Sequence, residues 1–72
     1  MTNVALLQAR IRASGLKKRF IAEQLGITRQ ALDKKIKGTR QFTQREIPIM
    51  CKLLGIKTWA DIKAIFFAEL VD

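Results

Sequence analysis

The chain has 72 residues, and its 14 Lys and Arg against 6 Asp and Glu leave it at +8, with no histidine and a single cysteine. So short a chain holds one small core, which excludes a doubly wound sheet or a barrel enzyme. The missing histidine excludes Ser-His-Asp and Cys-His centres and any His zinc site. Cys51 can form no disulfide within the chain. No nucleophile, base and metal set can be assembled, so neither an enzyme nor a bound cofactor is expected. The net charge asks instead for an anionic partner. Apolar residues make up 49% of the chain, enough for a core without staples despite that charge. Met1 to Leu7 is too short and too poorly flanked for a targeting signal. No stretch approaches the roughly 20 apolar residues of a membrane span. The expectation is one soluble, cytoplasmic domain over residues 1–72, with no membrane or metal partner.

In chain order, four glycines punctuate the sequence: Gly15, Gly26, Gly38 and Gly55 each follow a stretch of helical periodicity. Leu16, Ile27 and Ile56 stand just beyond three of them, where an apolar residue folds back onto the last turn. The first helix is predicted from about Asn3 to Ser14, with Val4, Leu7 and Ile11 on one face. A second covers about Lys17 to Leu25 and buries Ile21, Ala22 and Leu25. Thr28 caps a third, Arg29 to Lys37, whose inward face is Ala31, Leu32 and Ile36. Thr43 and Glu46 form a capping box that opens a fourth, with Phe42 and Ile47 as a hydrophobic staple. Pro48 lies one position too deep in that helix to be harmless, which predicts a kink or a loosened first turn near Gln44. Met50 and Cys51 are expected in the core. Thr58 and Asp61 open a last helix from Trp59 to about Val71. Strand signals are lacking, so the fold class is all-α with five helices.

The charge is segregated along this plan. Between Arg10 and Arg45 lie eleven basic residues against Glu23 and Asp33, a net +9, while the remainder is near neutral. Segregation of that kind marks a binding face. Lys17, Lys18 and Arg19 crowd the start of the second helix, where the helix dipole disfavours cations by about 0.3–1 kcal/mol each. An anion docking there would meet both the cations and free backbone N–H groups, which makes these three residues candidate phosphate ligands.

Phe20 to Gly38 reads F-I-A-E-Q-L-G-I-T-R-Q-A-L-D-K-K-I-K-G, a short helix, a turn at Gly26 and a capped second helix. That is helix-turn-helix spacing, over about residues 17–38. Ala22 is small where the helices must cross, and the second helix presents Thr28, Arg29 and Gln30 first, then Asp33 and Lys34 one turn on. Arg can fork onto guanine O6 and N7 and Gln onto adenine N6 and N7, each worth about 1–3 kcal/mol of base discrimination.

The run I-A-E-Q-L-G-I-T-R-Q-A-L resembles the helix-turn-helix repressors of the Cro and lysogenic-repressor (Xre) type. The later K-I-K-G-T-R-Q-F-T-Q-R-E-I and L-L-G-I are similar to small temperate-phage regulators of that family, matching at Phe42, Thr43, Glu46 and Ile47. The resemblance implies a compact five-helix bundle of lambda-repressor-like type whose third helix lies in the major groove. It implies that Thr28, Arg29, Gln30, Asp33 and Lys34 face bases of a double-stranded operator, and that Lys18, Lys37, Thr39 and Arg40 face phosphates. The setting it implies is a lysis/lysogeny switch in a bacterial host. Three positions depart from it: Lys17 replaces a frequent Ser or Thr cap, Lys18 a frequent Gln, and Ile36 a frequent Glu. Lys18 keeps a charge for phosphate but not the amide geometry. These departures keep open an alternative, also suggested by likeness to Cro-like modulators of repression, in which the chain binds a partner phage repressor instead of DNA.

On the last helix Trp59, Ile62, Phe66 and Leu70 form one stripe that closes the core, with Ala64, Phe67 and Val71 beside it. The apolar arc is wider than a small bundle needs. Ala64, Phe67 and Val71 are therefore candidates for a protein interface, with a homodimer or a repressor as partner.

Overall fold

Local capping chemistry starts most of the helices. Asn3 has an extended backbone and its Oδ1 accepts from the Leu6 N–H at 3.1 Å, which opens α1 (Val4–Ser14). Lys17 precedes α2 (Lys18–Leu25) with no side-chain cap, as expected of a residue without an acceptor. Thr28 Oγ1 accepts from Ala31 N–H at 3.0 Å and starts α3 (Arg29–Ile36). The remaining helices are α4 (Glu46–Leu54) and α5 (Trp59–Phe66), followed by a 3-10 turn at Ala68–Leu70. A computed structural model describes residues 1–71, and among these residues there is no strand.

The turn between α2 and α3 depends on Gly26, whose φ of 72° is left-handed and costs a residue with a Cβ roughly 1–2 kcal/mol. This conformation lets the Ile27 N–H reach back to the Ala22 carbonyl at 3.0 Å. Ile27 then packs against the core, as do Leu16 and Ile56 after their own glycines.

The expected capping box forms at α4. Glu46 N–H donates to Thr43 Oγ1 at 3.2 Å, and Thr43 N–H donates to Glu46 Oε1 at 2.9 Å. Regular helix nevertheless begins only at Glu46, and Gln44 and Arg45 form a turn. Pro48 has no N–H to give to the Gln44 carbonyl, so that one helical bond is missing, but the turn still closes: Ile47 N–H donates to the Thr43 carbonyl at 3.1 Å and Arg45 keeps right-handed helical angles.

The last helix is shorter than expected. It stops at Phe66, not near Val71, and Phe67 leaves the helical region at φ −130°, ψ 51°. The N-terminal segment accounts for this: Asn3 N–H donates to the Ile65 carbonyl at 2.7 Å, and Ala68 N–H turns away to the Met1 carbonyl at 2.9 Å. The predicted stripe holds at its middle and fails at its ends: Phe66 is buried and Ile62 packs against the core, joined by Ile65, whereas Trp59 and Leu70 are 59% and 54% exposed. At the start of α5, Thr58 Oγ1 accepts from Asp61 N–H at 3.2 Å. The Asp61 carboxylate itself pairs with Arg10 of α1 at 3.1 Å.

Leu7, Ile21, Leu25, Leu32, Ile36 and Met50 are fully buried, and Cys51 joins them. These residues explain the layout: α1 lies against α3, α4 and α5, while α2 lies against α3 and α4. Phe42 sets its ring edge against Phe66 at 5.5 Å and 85°, tying the segment before α4 to the end of α5.

One core feature was not expected. Lys35 of α3 and Glu46 of α4 form a hydrogen-bonded ion pair, their side chains only 7% and 4% exposed. Burial pushes the Glu46 pKa up, but the bond from Lys35, the Thr43 N–H, the Lys35 charge and the Thr43 side chain outweigh it. The result is a carboxylate held below the usual glutamate range.

Candidate nucleic-acid interface

α3 presents two chemically opposite faces. Leu32, Lys35 and Ile36 point inward, and Arg29, Gln30 and Lys34 are exposed. Every outward group in that second set can donate a hydrogen bond, and two of the three carry a positive charge. Thr28 is also exposed, with its hydroxyl oxygen already accepting the cap bond from Ala31.

Beside the start of α3, Lys17, Lys18, Arg19 and Arg29 line one open groove. It gathers the three cations that crowd the α2 terminus with the first residue of α3. Lys18 also borders a second depression with Gln8, Ile11 and Arg12, which places Arg12 of α1 next to the same surface. Arg12, one of the eleven basic residues between Arg10 and Arg45, is not expected at the site from sequence. Its only sequence signal is membership of that basic run, because it lies a helix away from α2.

Asp33 sits inside this cationic group. One carboxylate oxygen lies 3.6 Å from Lys18 Nζ and the other 3.9 Å from Arg29 Nε. Of the residues expected to face bases, Asp33 is half-buried and directed toward these two cations.

At the far end of α3 the chain is tightly wrapped. The Lys34 carbonyl accepts from Thr39 N–H at 3.0 Å, Thr39 Oγ1 at 3.1 Å and Arg40 N–H at 3.3 Å. This fixes Thr39 and Arg40 next to exposed Lys37, so the three form one polar corner. The expected phosphate ligands thus fall at both ends of α3.

Not all of the charge surplus reaches that surface. Lys35 is used inside the core, Arg10 pairs with Asp61, and Arg45 Nη2 donates to the Leu25 carbonyl at the end of α2. These three cations fasten elements together, the last by satisfying a carbonyl that a helix end leaves free.

The candidate protein interface comes out divided. Ala64 lies in a shallow pocket with Leu6, Ala9, Arg10, Asp61 and Ile65. Phe67 packs against the core and against Trp59, ring centres 5.9 Å apart. Val71 is exposed beyond the 3-10 turn, so the break after Phe66 removes the single helical face on which the three were expected. Met1, Trp59, Leu70 and Val71 are exposed large apolar side chains at this end of the molecule.

Among the described residues, no helix is long and apolar enough to cross a membrane. Among these same described residues, no group of three or more His, Cys, Asp and Glu could hold a metal ion. No protein-family model, curated protein or solved structure matches the chain.

Proposed function

We propose that the chain is a sequence-specific DNA-binding regulator of the Cro and Xre type that occupies a double-stranded operator in a phage lysis/lysogeny switch, in the cytoplasm of a bacterial host. The observation that carries this reading is the division of α3: its apolar face is anchored by Leu32 and Ile36, and its opposite face offers Arg29, Gln30 and Lys34 beside a groove of four cations. A helix held this way enters a major groove with its N-terminal residues at the base edges. Arg29 would read guanine and Gln30 adenine. Lys17, Lys18 and Arg19 at one end, and Lys37, Thr39 and Arg40 at the other, would take phosphates along the two flanking strands.

Selection from a random duplex library, followed by binding titrations at rising salt, tests this. With four to five phosphate-neutralising cations, log affinity is expected to fall against log salt with a slope of about −4, a loss of two to three powers of ten between about 50 and 200 mM. Arg29→Ala or Gln30→Ala is expected to relax preference at one base position by about 1–3 kcal/mol, leaving the slope nearly unchanged. Binding undiminished at high salt would sink the reading.

A second reading is favoured by exposed Trp59, Leu70 and Val71, which belong to α5 and the segment after it, not to the elements that line the basic groove. In it the chain is an anti-repressor or co-repressor that engages a partner phage repressor. Co-elution with a phage repressor, without any retardation of duplex DNA by the chain alone, would decide for this reading. Separate elution would remove it.

A further inference from the structure

We propose that Asp33 is a specificity-determining residue that acts through Lys18 and Arg29, holding both cations back from phosphates on incorrect DNA, and does not itself read a base. The inference rests on the DNA-binding reading above and deepens it. Its basis is the position of one anion between two candidate DNA ligands, with each carboxylate oxygen directed to a different cation at 3.6 and 3.9 Å. Lys18 belongs to α2 and Arg29 to α3, so the carboxylate bridges the two helices at the groove where both would be needed.

The distances and exposures decide what such a clamp does. The Lys18 and Arg29 side chains are 41% and 60% exposed, and Asp33 is 34% exposed, so these pairs are solvent-screened and weak enough to exchange. A random phosphate offers Lys18 or Arg29 little more than Asp33 already supplies. A guanine edge in register offers Arg29 two directed hydrogen bonds, which the single 3.9 Å approach to Asp33 does not match. Arg29 therefore leaves Asp33 only on the correct sequence, and Lys18, released from competition, can then take a phosphate. Asp33 lowers affinity everywhere and lowers it most where no guanine replaces it, which raises the ratio of specific to non-specific binding.

The experiment compares wild type, Asp33→Asn, Lys18→Met and the double variant, each titrated against the selected duplex and against an alternating duplex of unrelated sequence over a range of salt. Glu23→Gln serves as the control for simple loss of one negative charge, since Glu23 is exposed on α2 and makes no ion pair among the described residues. Asp33→Asn is expected to raise affinity for the unrelated duplex by about two- to fivefold per released cation near 0.1 M salt, the range that solvent-screened pairs allow, and to steepen the slope by up to about 1–2. Affinity for the selected duplex should rise less, so the specificity ratio falls. Glu23→Gln should leave that ratio unchanged. Lys18→Met should cost little on unrelated DNA in the wild-type background, but about one unit of salt slope once Asp33 is neutral.

If Asp33→Asn instead loses affinity for the selected duplex at one base pair, Asp33 reads a base and the proposal is overturned. Identical behaviour of Asp33→Asn and Glu23→Gln would overturn it as well, because the effect would then be net charge alone. If the wild-type chain retards neither duplex at low salt, the DNA-binding reading fails and takes this inference with it, whereas failure of the Asp33 arm alone leaves that reading standing.

Discussion

Lys35→Met is expected to destabilise the fold by about 3 kcal/mol at neutral pH, because it leaves the Glu46 carboxylate buried without its cation. The sign with pH follows from the depressed Glu46 pKa. Stability from the pair is fully present above the ordinary glutamate pKa of about 4.3 and is lost as pH falls through the lower value of the folded state. The gap between wild type and variant in urea midpoints should therefore be widest near pH 7 and should close as pH drops below about 4. A second variant, Lys35→Met with Glu46→Gln, keeps an acceptor for the Thr43 N–H and removes the buried charge, so it should recover part of the loss. A gap that stays constant from neutral to acid pH would show that Lys35 contributes by packing its stem and not by its charge.

Leu32→Ala is expected to cost about 2–5 kcal/mol, since Leu32 is fully buried on the inner face of α3. For a chain of this length, total stability is about 4–11 kcal/mol, so the variant stands near the unfolding threshold at physiological temperature. Arg29→Ala, three residues earlier on the outer face, should leave stability within about 0.5 kcal/mol of wild type. Paired melts of the two variants separate the scaffold from the exposed face of α3. Equal loss of stability in both would show that Arg29 belongs to the scaffold.

The parts of this fold legible in sequence are those whose cause lies within a few residues. Thr28, Thr43 and Asn3 cap helices by reaching three positions along the chain, and Gly26 turns it by its own backbone freedom. Pro48 removes one helical hydrogen bond through a missing N–H whose place the sequence sets. What was missed has distant causes. The end of α5 carries no glycine or proline, and it is set by Met1 and Asn3, more than sixty residues away, competing for its carbonyls and amides. Leu70 looked like core because periodicity assumed one unbroken helix, whereas Trp59 lies on the intact helix but at its first residue, where it stays exposed.

The buried pair also has a signal in the sequence. Lys35 stands three residues after Leu32 and one before Ile36, in phase with the core, and Glu46 is a capping-box acid due to be drawn inward. A charge at a core-phased position requires a partner nearby. The candidate site was legible in its residue types and its segregation, whereas the orientation of Asp33 toward Lys18 joins two helices and depends on how they cross.

The Lys34 carbonyl, with three donors gathered on it, bears on the thermodynamics of any encounter at that corner. Thr39 and Arg40 already have a defined backbone in the free protein, so docking there orders side chains but no loop. Association at this end should show the small heat-capacity change of rigid surfaces meeting, without the large excess that accompanies a segment folding onto its target. Residence time at that corner would then depend on contacts broken at departure, since no refolding of the corner slows arrival.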